Sequence, residues 1–388
     1  MKRVFICGEM NVPHNTPGAN YTQHLAMAFR ALGYKVILIT NVTVSNRTAL
    51  NYLYDNKIEI REFTVSKKKL VRGLDYKFLI PRKIRMALRR EKPDKDDFII
   101  AYARREDVLN VILEEGRRTG TKTAACIVEW YGREDVGSEN EFAKSEYLME
   151  HVYPQFDMII PISRFIEDFF KKKKCRTVYI PCMADANEYQ AREKQYSGKK
   201  KIVYPANGKM KDALSGMLEA IIALAPETQN HCEFHFCGVK EEAADKLTQS
   251  RIQPLIQQKI VIFHKWMSYD ELISLYNEMH FLLLMRNKSR MTLANFPSKV
   301  PETMMQAVTP VCTDVGEYTR TYLHDGQDAI IVQDASETTI KNAIQKIADM
   351  QWSDVMQLNM NSRVTAINKF DYHCWLDVLK TVVEGGTQ

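Results

Sequence analysis

No apolar run in this 388-residue chain approaches the ~20 residues that a membrane-spanning helix requires, so no transmembrane helix is predicted. The eight cysteines form no Cys-x-x-Cys pair, and neither they nor the nine histidines follow the spacing of a metal site. Several cysteines lie in apolar, strand-like runs, which predicts reduced and buried thiols. These absences argue against a membrane-spanning protein, a disulfide-stabilised secreted domain and a zinc-binding protein.

Two further absences concern glycine and processing signals. The Gly-x-Gly-x-x-Gly signature of dinucleotide-binding proteins is missing, and no internal repeat is detectable. The first residues lead directly into an apolar strand, Val4 to Cys7, so no signal peptide is expected. Together with the reduced cysteines, this favours a cytoplasmic protein. Hydrophobic content of 45% and charged content of 26% are ordinary for a soluble globular protein.

The net charge of +6 is small, but the positive residues cluster in the first half, at residues 67–69, 82–90 and 171–174. Such runs are either solvated surfaces or a basic surface that faces anionic lipid or a lipid-linked diphosphate, and the sequence favours neither. Residues 78–80 are apolar and precede the second cluster, which is typical of a helix at a membrane interface. Peripheral contact with an anionic membrane is therefore one hypothesis, and binding to nucleic acid is not expected.

Short apolar strands alternate with helical segments through the chain, which predicts an α/β fold. Strands at residues 3–7 and 35–40 flank a helix and form a right-handed βαβ unit. Residues 185–201 are polar and aperiodic, and we place a domain boundary near Met183. Two Rossmann-like domains with parallel sheets are predicted. They are residues 1–183, completed by residues 371–388, and residues 184–370.

One stretch, Asn295 to Glu302, concentrates residues that suit a phosphorylated ligand. It follows an apolar strand that ends at Met285, and a short helix is predicted over residues 301–308. The N–H groups at the start of a helix have no partner inside it, so they bind phosphate groups well. Arg286 and Lys299 add positive charge beside these amides.

Glu302 is unsuited to phosphate, because like charges repel, but its carboxylate accepts hydrogen bonds from sugar hydroxyls. Cations, backbone amides and one carboxylate within a short span predict a ligand that is part diphosphate and part polyol. A nucleotide sugar has this composition. The alternative is an ordinary strand-loop-helix with a surface arginine and lysine.

The stretch resembles the family-four glycosyltransferases of the GT-B fold, in particular a bacterial surface-polysaccharide branch. The residues that carry the resemblance are Arg286, Pro297-Ser298-Lys299, Glu302, Pro310-Val311 and Asp314-Val315-Gly316. The resemblance implies two facing Rossmann-like domains and a C-terminal helix, anchored by Trp375 and Leu376 within residues 370–383, that crosses back to the first domain. It also implies retaining transfer of a hexose-type sugar from a nucleotide sugar, UDP more than GDP, to a glycan or lipid-linked acceptor. No metal or other cofactor is implied.

The resemblance also assigns roles to residues of the second domain. Glu302 would hold the ribose, while the position of the family's sugar-contacting glutamate is Ala294 here. The loop at residues 207–211 is loosely similar to the family's Gly-Arg…Lys-Gly loop. The expected donor-binding residues are Gly18, Gly208, Lys209, Gly238, Asn295, Pro297, Ser298, Val300 and Glu302. The expected catalytic residues, which meet the charge of the leaving diphosphate, are Arg286, Lys299 and Lys211.

The candidates for the acceptor site are Glu129, Trp130, Tyr131 and Arg133, at the end of a predicted strand. Ligands of α/β sheets lie beyond the carboxyl ends of strands. Aromatic faces stack on sugar C–H groups, and charged groups bind hydroxyls. The alternative is that the two aromatic residues fold into the core.

The segment Asp94-Lys95-Asp96 matches the Asp-x-Asp pattern with which metal-dependent glycosyltransferases hold a cation. In those enzymes the pattern follows a strand, whereas here it precedes one, so a solvated loop is the better interpretation. No metal ligand is therefore predicted. Two other functional classes stay open: a sugar-nucleotide epimerase with the same fold and donor, and a catalytically inactive partner subunit, which Ala294 suggests.

Overall fold

The computed structural model describes residues 2–13, 16–42, 47–63, 79–189, 191–208 and 211–384. The chain forms two compact units, the first comprising Met1–Ala184 and Tyr372–Gln388 and the second Asp185–Asp371. The predicted donor residue Lys209, the basic cluster at residues 67–69 and Phe78 lie outside the described residues.

The first unit contains a six-stranded parallel sheet with the order β3-β2-β1-β4-β5-β6. Its strands are β1 (Arg3–Gly8), β2 (Lys35–Thr40), β3 (Glu59–Glu62), β4 (Phe98–Tyr102), β5 (Lys122–Ile127) and β6 (Met158–Pro161). β1, β2, β4, β5 and β6 are buried almost throughout, as expected for apolar strands covered on both faces. The predicted first βαβ unit is confirmed by the parallel pairing of β1 with β2.

Among the described residues before the boundary of the first unit, six α-helices are present: α1 (Pro17–Ala31), α2 (Arg47–Asp55), α3 (Ile80–Glu91), α4 (Glu106–Thr119), α5 (Glu139–Tyr147) and α6 (Arg164–Lys172). Helix α1 begins where Thr16 accepts a hydrogen bond from the N–H of Ala19 at 3.1 Å and Pro17 occupies the first helical position. Helices α3 and α4 pack on each other around Glu115, a buried carboxylate that Arg89 and Arg118 contact at 2.8 and 2.7 Å.

The second unit repeats this topology with the strand order β12-β11-β10-β7-β8-β9, and all neighbours are parallel. Its strands are β7 (Lys200–Tyr204), β8 (Cys232–Cys237), β9 (Val261–His264), β10 (Phe281–Leu284), β11 (Thr309–Thr313) and β12 (Ile330–Val332). In each unit the first and fourth strands are neighbours, so the strand order reverses between them. The predicted α/β architecture of two Rossmann-like units is confirmed.

The helices of the second unit are α7 (Leu214–Ile222), α8 (Pro226–His231), α9 (Glu241–Leu247), α10 (Gln253–Gln257), α11 (Tyr269–Tyr276), α12 (Arg290–Ala294), α13 (Lys299–Met305), α14 (Glu317–Thr321), α15 (Glu337–Asp349) and α16 (Trp352–Phe370). The helix predicted over residues 301–308 is therefore wrong at both ends. It ends early because Ala307 adopts a left-handed conformation with φ of 53°, and the N–H of Val308 then bonds to the carbonyl of Thr303.

The single C-terminal helix predicted over residues 370–383 is also divided. Helix α16 ends at Phe370, and α17 (Leu376–Glu384) follows a short 3-10 turn and packs on α1 of the first unit. The expected return of this helix to the first unit is confirmed. Trp375 contacts Tyr179 edge-on at 5.8 Å between ring centroids, but the buried anchors of α17 are Leu379 and Val382 rather than Leu376.

All eight cysteines are free thiols, as predicted. Six are buried, Cys175 is partly buried, and Cys374 is exposed, so the predicted burial is wrong for Cys374. Among the described residues, no helix combines the length and hydropathy needed to cross a bilayer.

His280 directly precedes β10 and is 2% exposed. Its hydrogen bonds stabilise the amino-terminal edge of the second sheet. Its Nδ1 accepts a hydrogen bond from the N–H of Lys201 at 2.9 Å, so the ring proton is on Nε2, which donates to the carbonyl of Gln195 at 3.0 Å. The carbonyl of His280 accepts from the N–H of Thr309 at 2.9 Å and from Nδ2 of Asn359 at 2.8 Å. One residue thus connects β7, β10, β11 and α16.

The stability of the second unit should depend on the neutral form of His280. Burial lowers the pKa of His280 to about 4, from 6.5. The unfolded chain therefore binds this proton at higher pH than the folded chain, and the free energy of unfolding falls as the pH drops from 6.5 towards 4. We expect this one group to account for about 2–3 kcal/mol of that loss.

Urea unfolding of the wild type and of His280→Asn at pH 7 and pH 4.5 checks this expectation. Asparagine keeps an acceptor for the N–H of Lys201 but does not titrate, so the variant should lose less stability between the two pH values. An equal loss in both proteins would contradict the role of His280.

Candidate active site

The candidate site of the second unit lies at the carboxyl ends of β7 and β10, where the strand order reverses. Open α/β sheets bind their ligands at such a point, because the loops that follow the two strands diverge there. Arg286 follows β10, and the loop between α12 and α13 brings Asn295, Ser298 and Lys299 to the same place.

The guanidinium group of Arg286 is almost completely buried, with 7% of its side chain exposed. Its Nε donates to Oδ1 of Asp212 at 2.9 Å, and its Nη1 donates to Oδ1 of Asn295 at 3.2 Å. The backbone of Arg286 is fixed by Thr313, whose hydroxyl accepts from the N–H at 3.0 Å and donates to the carbonyl at 2.9 Å. Among the residues that the structure describes, Nη2 has no partner. A fixed, buried guanidinium with one open edge is suited to bind an anion.

Asp212 and Tyr204 complete this arrangement, and no motif in the sequence indicated either residue. The hydroxyl of Tyr204 donates to Oδ2 of Asp212 at 2.7 Å. An isolated antiparallel bridge joins Asp212 to Arg286, and the N–H of Ala213 donates to the carbonyl of Met285 at 2.8 Å. Asp212 and Arg286 are 74 positions apart, so the sequence does not show that they pair. The only indication that Asp212 belongs to the site was its position directly after Lys211.

The loop before α13 supplies further donors. The hydroxyl of Ser298 is buried and has no partner among the described residues. The N–H groups of Ser298 and Lys299 and the half-buried ammonium of Lys299 are likewise without a described partner. Val300 has no donor to offer, because its N–H bonds to the carbonyl of Pro297 at 3.1 Å and its side chain is fully buried. Pro297 is buried too and carries no N–H, so the anion-binding groups come from Ser298 and Lys299.

Glu302 lies in the first turn of α13 with 5% of its surface exposed. A second buried group, the hydroxyl of Tyr276, has no partner among the described residues. Burial, and to a smaller extent the negative charge of Glu302, raise the pKa of Tyr276. A buried carboxylate thus lies near a buried hydroxyl that has no partner among the described residues, and the sequence did not indicate this pair. Ala294, at the end of α12, is fully buried and offers no acceptor oxygen.

The predicted glycines of the second unit are required by the backbone. Gly208 and Gly238 have φ of +70° and +104°, which side chains rarely adopt. A Cβ atom at Gly208 would lie 2.3 Å from Cδ2 of Leu214, and one at Gly238 would lie 3.3 Å from the carbonyl of Ala206. The loop after β8 therefore packs on the loop after β7 at Ala206, and the loop after β7 packs on the first residue of α7. Lys211 is half-buried and lies at the end of the first loop.

In the first unit, Gly18 lies in the first turn of α1, where a Cβ atom would lie 2.4 Å from the hydroxyl of Tyr102. Tyr102 is the last residue of β4, so Gly18 lies at the carboxyl end of the sheet, where β1 and β4 are neighbours. The absence of a side chain at Gly18 permits this contact between helix and strand.

The four acceptor candidates do not form one group. Glu129 and Tyr131 contact each other and Arg104, whose guanidinium lies 5.3 Å from the centre of the tyrosine ring. Trp130 is buried against Phe165 and Phe169 at centroid distances of 5.7 and 4.5 Å, and its Nε1 donates to Glu146 at 2.7 Å.

Trp130 therefore belongs to the core, and its ring is not available to stack on a sugar. Arg133 is exposed and pairs with Glu139 at 2.5 Å. Arg104, which no motif indicated, takes the place of Arg133 beside Glu129 and Tyr131.

Asp94 and Asp96 lie at the amino end of β4, away from the carboxyl ends of the strands. The N–H of Asp96 donates to Oδ1 of Asp94 at 2.9 Å, as in a solvated turn. Within the described ranges, no group of three or more His, Cys, Asp and Glu side chains could hold a metal ion.

Comparison with known proteins agrees with this fold. Residues 185–365 match the family model of group 1 glycosyl transferases. Sucrose-phosphate synthase of Thermosynechococcus elongatus is 13% identical, with a TM-score of 0.74 over 99% of each chain. Anabaena HepE in complex with UDP-glucose is 12% identical, with a TM-score of 0.69 over 98% of this chain and 99% of that one.

WaaG, a glycosyltransferase involved in lipopolysaccharide biosynthesis, is 12% identical, with a TM-score of 0.67 over 99% of this chain and 100% of that one. No curated protein shows significant sequence similarity to the chain. The whole chain thus has the GT-B fold, and the part that contains the Arg286 site matches the group 1 glycosyl transferases.

Proposed function

We propose that the protein is a retaining glycosyltransferase that moves a hexose-type sugar from a nucleotide sugar to a glycan or lipid-linked acceptor. The observation that carries this proposal is a set of donors without a partner among the described residues: Nη2 of the buried Arg286, the buried hydroxyl of Ser298, and the N–H groups of Ser298 and Lys299. These donors suit a diphosphate. The structure of HepE with UDP-glucose supports UDP as the first nucleotide to test, with GDP as the second.

The site residues act on the leaving group. When the bond between the sugar carbon and the diphosphate oxygen breaks, negative charge grows on the diphosphate and positive charge on the sugar ring. Arg286, Lys299 and Lys211, with the amides of Ser298 and Lys299, neutralise the growing negative charge. Because these donors are held in place before the reaction, they need no reorganisation in the transition state. The acceptor hydroxyl then attacks from the face that the diphosphate leaves and passes its proton to the departing diphosphate oxygen, which retains the anomeric configuration.

Glu302 binds the ribose in this proposal. Its buried carboxylate accepts hydrogen bonds from ribose hydroxyls, which are stronger than bonds to a neutral oxygen. Tyr276 offers a second polar group near Glu302. The transferred sugar loses the contact that a glutamate at position 294 would give, so other groups must select it.

The first unit supplies the acceptor side. The cluster of Glu129, Tyr131 and Arg104 combines an aromatic face with charged groups, as sugar recognition requires. On helix α3, the side chain of Met86 is 55% exposed. Arg82 and Arg90 on the same helix are also exposed, and neither has an ion-pair partner among the described residues. An apolar residue between cations suits an anionic lipid surface. This supports a role in surface-polysaccharide synthesis at the cytoplasmic face of the membrane, as does the similarity of the fold to WaaG.

Removing one donor from the diphosphate site should reduce turnover strongly. For Lys299→Ala and Arg286→Gln we expect turnover of a UDP-sugar to fall by ~100-fold or more, because fixed donors stabilise developing charge in a water-poor site. Exposed Lys346→Ala on α15 is the matched control and should keep wild-type turnover. Release of UDP measures the rate, and the melting temperature reports folding. Wild-type rates in the folded Lys299 and Arg286 variants would contradict this assignment.

Turnover should not depend on a divalent cation. The charge of the leaving diphosphate is met by arginine, lysine and backbone amides, so activity should survive excess EDTA. The measurement is the initial rate before and after chelation and dialysis. If chelation abolished activity and manganese restored it, the prediction would be wrong, and Asp94 and Asp96 would become candidate metal ligands.

Substituting Glu302 should separate ribose binding from a purely structural role. Glu302→Gln keeps the shape and one acceptor oxygen but loses the charge, which is worth about 1–2 kcal/mol more than a neutral bond. The affinity for UDP should therefore fall by roughly tenfold, while the affinity for free uracil stays the same. Glu337→Gln, the same change in the first turn of α15, is the control.

Calorimetry and thermal unfolding on the same sample distinguish the alternatives for Glu302. A lower melting temperature with unchanged UDP affinity would assign Glu302 to the helix rather than to the ligand. Consumption of a UDP-sugar without any acceptor, with formation of an isomer, would favour an epimerase. Donor binding without turnover on a panel of acceptors would favour an inactive partner subunit.

A further inference from the structure

The site contains an acidic residue to which neither the motif nor the proposed reaction gives a role. Asp212 has 6% of its side chain exposed and lies between Nε of Arg286, at 2.9 Å, and the hydroxyl of Tyr204, at 2.7 Å. We propose that Asp212 is a positioning residue, which fixes the Arg286 guanidinium in the empty site and limits how tightly that site holds a diphosphate. The inference rests on the proposed function of the same site.

The first part follows from burial. A buried guanidinium without a counter-ion is strongly unfavourable. Asp212 compensates the charge of Arg286 when no nucleotide is present, and it does so from the Nε side. Asn295 holds Nη1, so both N–H groups of Nη2 stay available for a ligand. The carboxylate thus stabilises the cation without occupying its open edge.

The orientation of Asp212 is itself fixed. Burial, and after it the charge of Asp212, raise the pKa of Tyr204, so the tyrosine stays neutral and donates its proton to Oδ2. The backbone bridge between Asp212 and Arg286 sets the distance between the two side chains. Neither residue can rotate away without breaking a buried hydrogen bond.

The second part follows from charge. A diphosphate bound at Nη2 and a carboxylate bound at Nε are attracted to the same delocalised positive charge, and they repel each other. The diphosphate therefore binds more weakly than it would to an uncompensated arginine. After transfer the diphosphate is the product that must leave, so Asp212 favours its release.

Asp212→Asn tests the proposal because it removes the charge and keeps the shape. The amide oxygen still accepts from Nε of Arg286, and the amide nitrogen donates to the oxygen of Tyr204, which can accept. We expect the affinity for UDP and for inorganic pyrophosphate to rise about tenfold by calorimetry, because one repulsive charge is lost. The affinity for uridine, which has no phosphate, should not change.

The same variant should unfold at a lower temperature when empty, because Arg286 then lacks its counter-ion. UDP or pyrophosphate should raise the melting temperature of the variant more than that of the wild type, since the ligand replaces the missing anion. A purely structural role for Asp212 would lower the melting temperature and would lower, or leave unchanged, the affinity for both ligands.

Two controls isolate the pair. In an Arg286→Gln background, Asp212→Asn should no longer raise the affinity for UDP, because the residue acts through the arginine. Asp349→Asn makes the same chemical change at the opposite edge of the sheet, where Lys200 bonds to the carbonyl of Ala348 at 2.9 Å, and should have no effect on affinity.

The outcomes separate this inference from the proposed function. Unchanged or weaker binding of UDP and pyrophosphate by Asp212→Asn, an equal gain in the Arg286→Gln background, or failure of the wild type to bind either ligand would overturn it. Tighter binding that requires Arg286 would support it, even if no sugar is ever transferred. Sugar transfer with a UDP affinity that does not respond to Asp212→Asn would leave the enzyme proposal standing without this role for Asp212.

Discussion

The arrangement of the second unit depends on one topological constraint, the reversal of strand order between β7 and β10. The connections that follow these two neighbouring strands run in opposite directions, which leaves a crevice beyond the carboxyl ends of the strands. Across this crevice, Asp212 and Arg286 are joined twice: by a backbone bridge and by the ion pair of their side chains. The α12–α13 loop contacts the same arginine through Asn295, whose Oδ1 accepts from Nη1 at 3.2 Å. A charged site at this position is a consequence of the sheet topology rather than of any single motif.

Much of the site could be predicted because its signals are local. Arg286, Ser298, Lys299 and Glu302 fall within 17 consecutive residues, so their types and spacing are readable directly from the chain. The parallel pairing of the strands also followed from apolar runs that alternate with helices. Tyr204, Asp212 and Tyr276 were missed because each belongs to a distant segment, and only the fold brings them to the arginine and the glutamate.

Other errors have equally specific causes. Trp130 lies in the loop three residues after β5 ends at Ile127, and its ring is buried by contacts with Phe165 and Phe169 of α6, which are more than 30 positions away. The limits of α13 depend on the left-handed conformation of Ala307, which sequence does not favour in an alanine. The break between α16 and α17 occurs at Asp371, whose carboxylate accepts from the N–H of Ala186 at 2.8 Å, 185 positions away. Long-range contacts of this kind override a local helical pattern.

The position of His280 has a consequence for how this unit can change through evolution. Its hydrogen bonds join three strands and a helix at the amino-terminal edge of the sheet, whereas the donors of the candidate site lie at the carboxyl-terminal edge. The contacts that keep the fold together and those that meet a ligand are thus separated by the length of a strand. Loops at the carboxyl-terminal edge can therefore accept new residues while the opposite edge preserves the sheet. A new ligand preference can arise in such a fold by small steps, none of which has to weaken the hydrogen bonds at the amino-terminal edge.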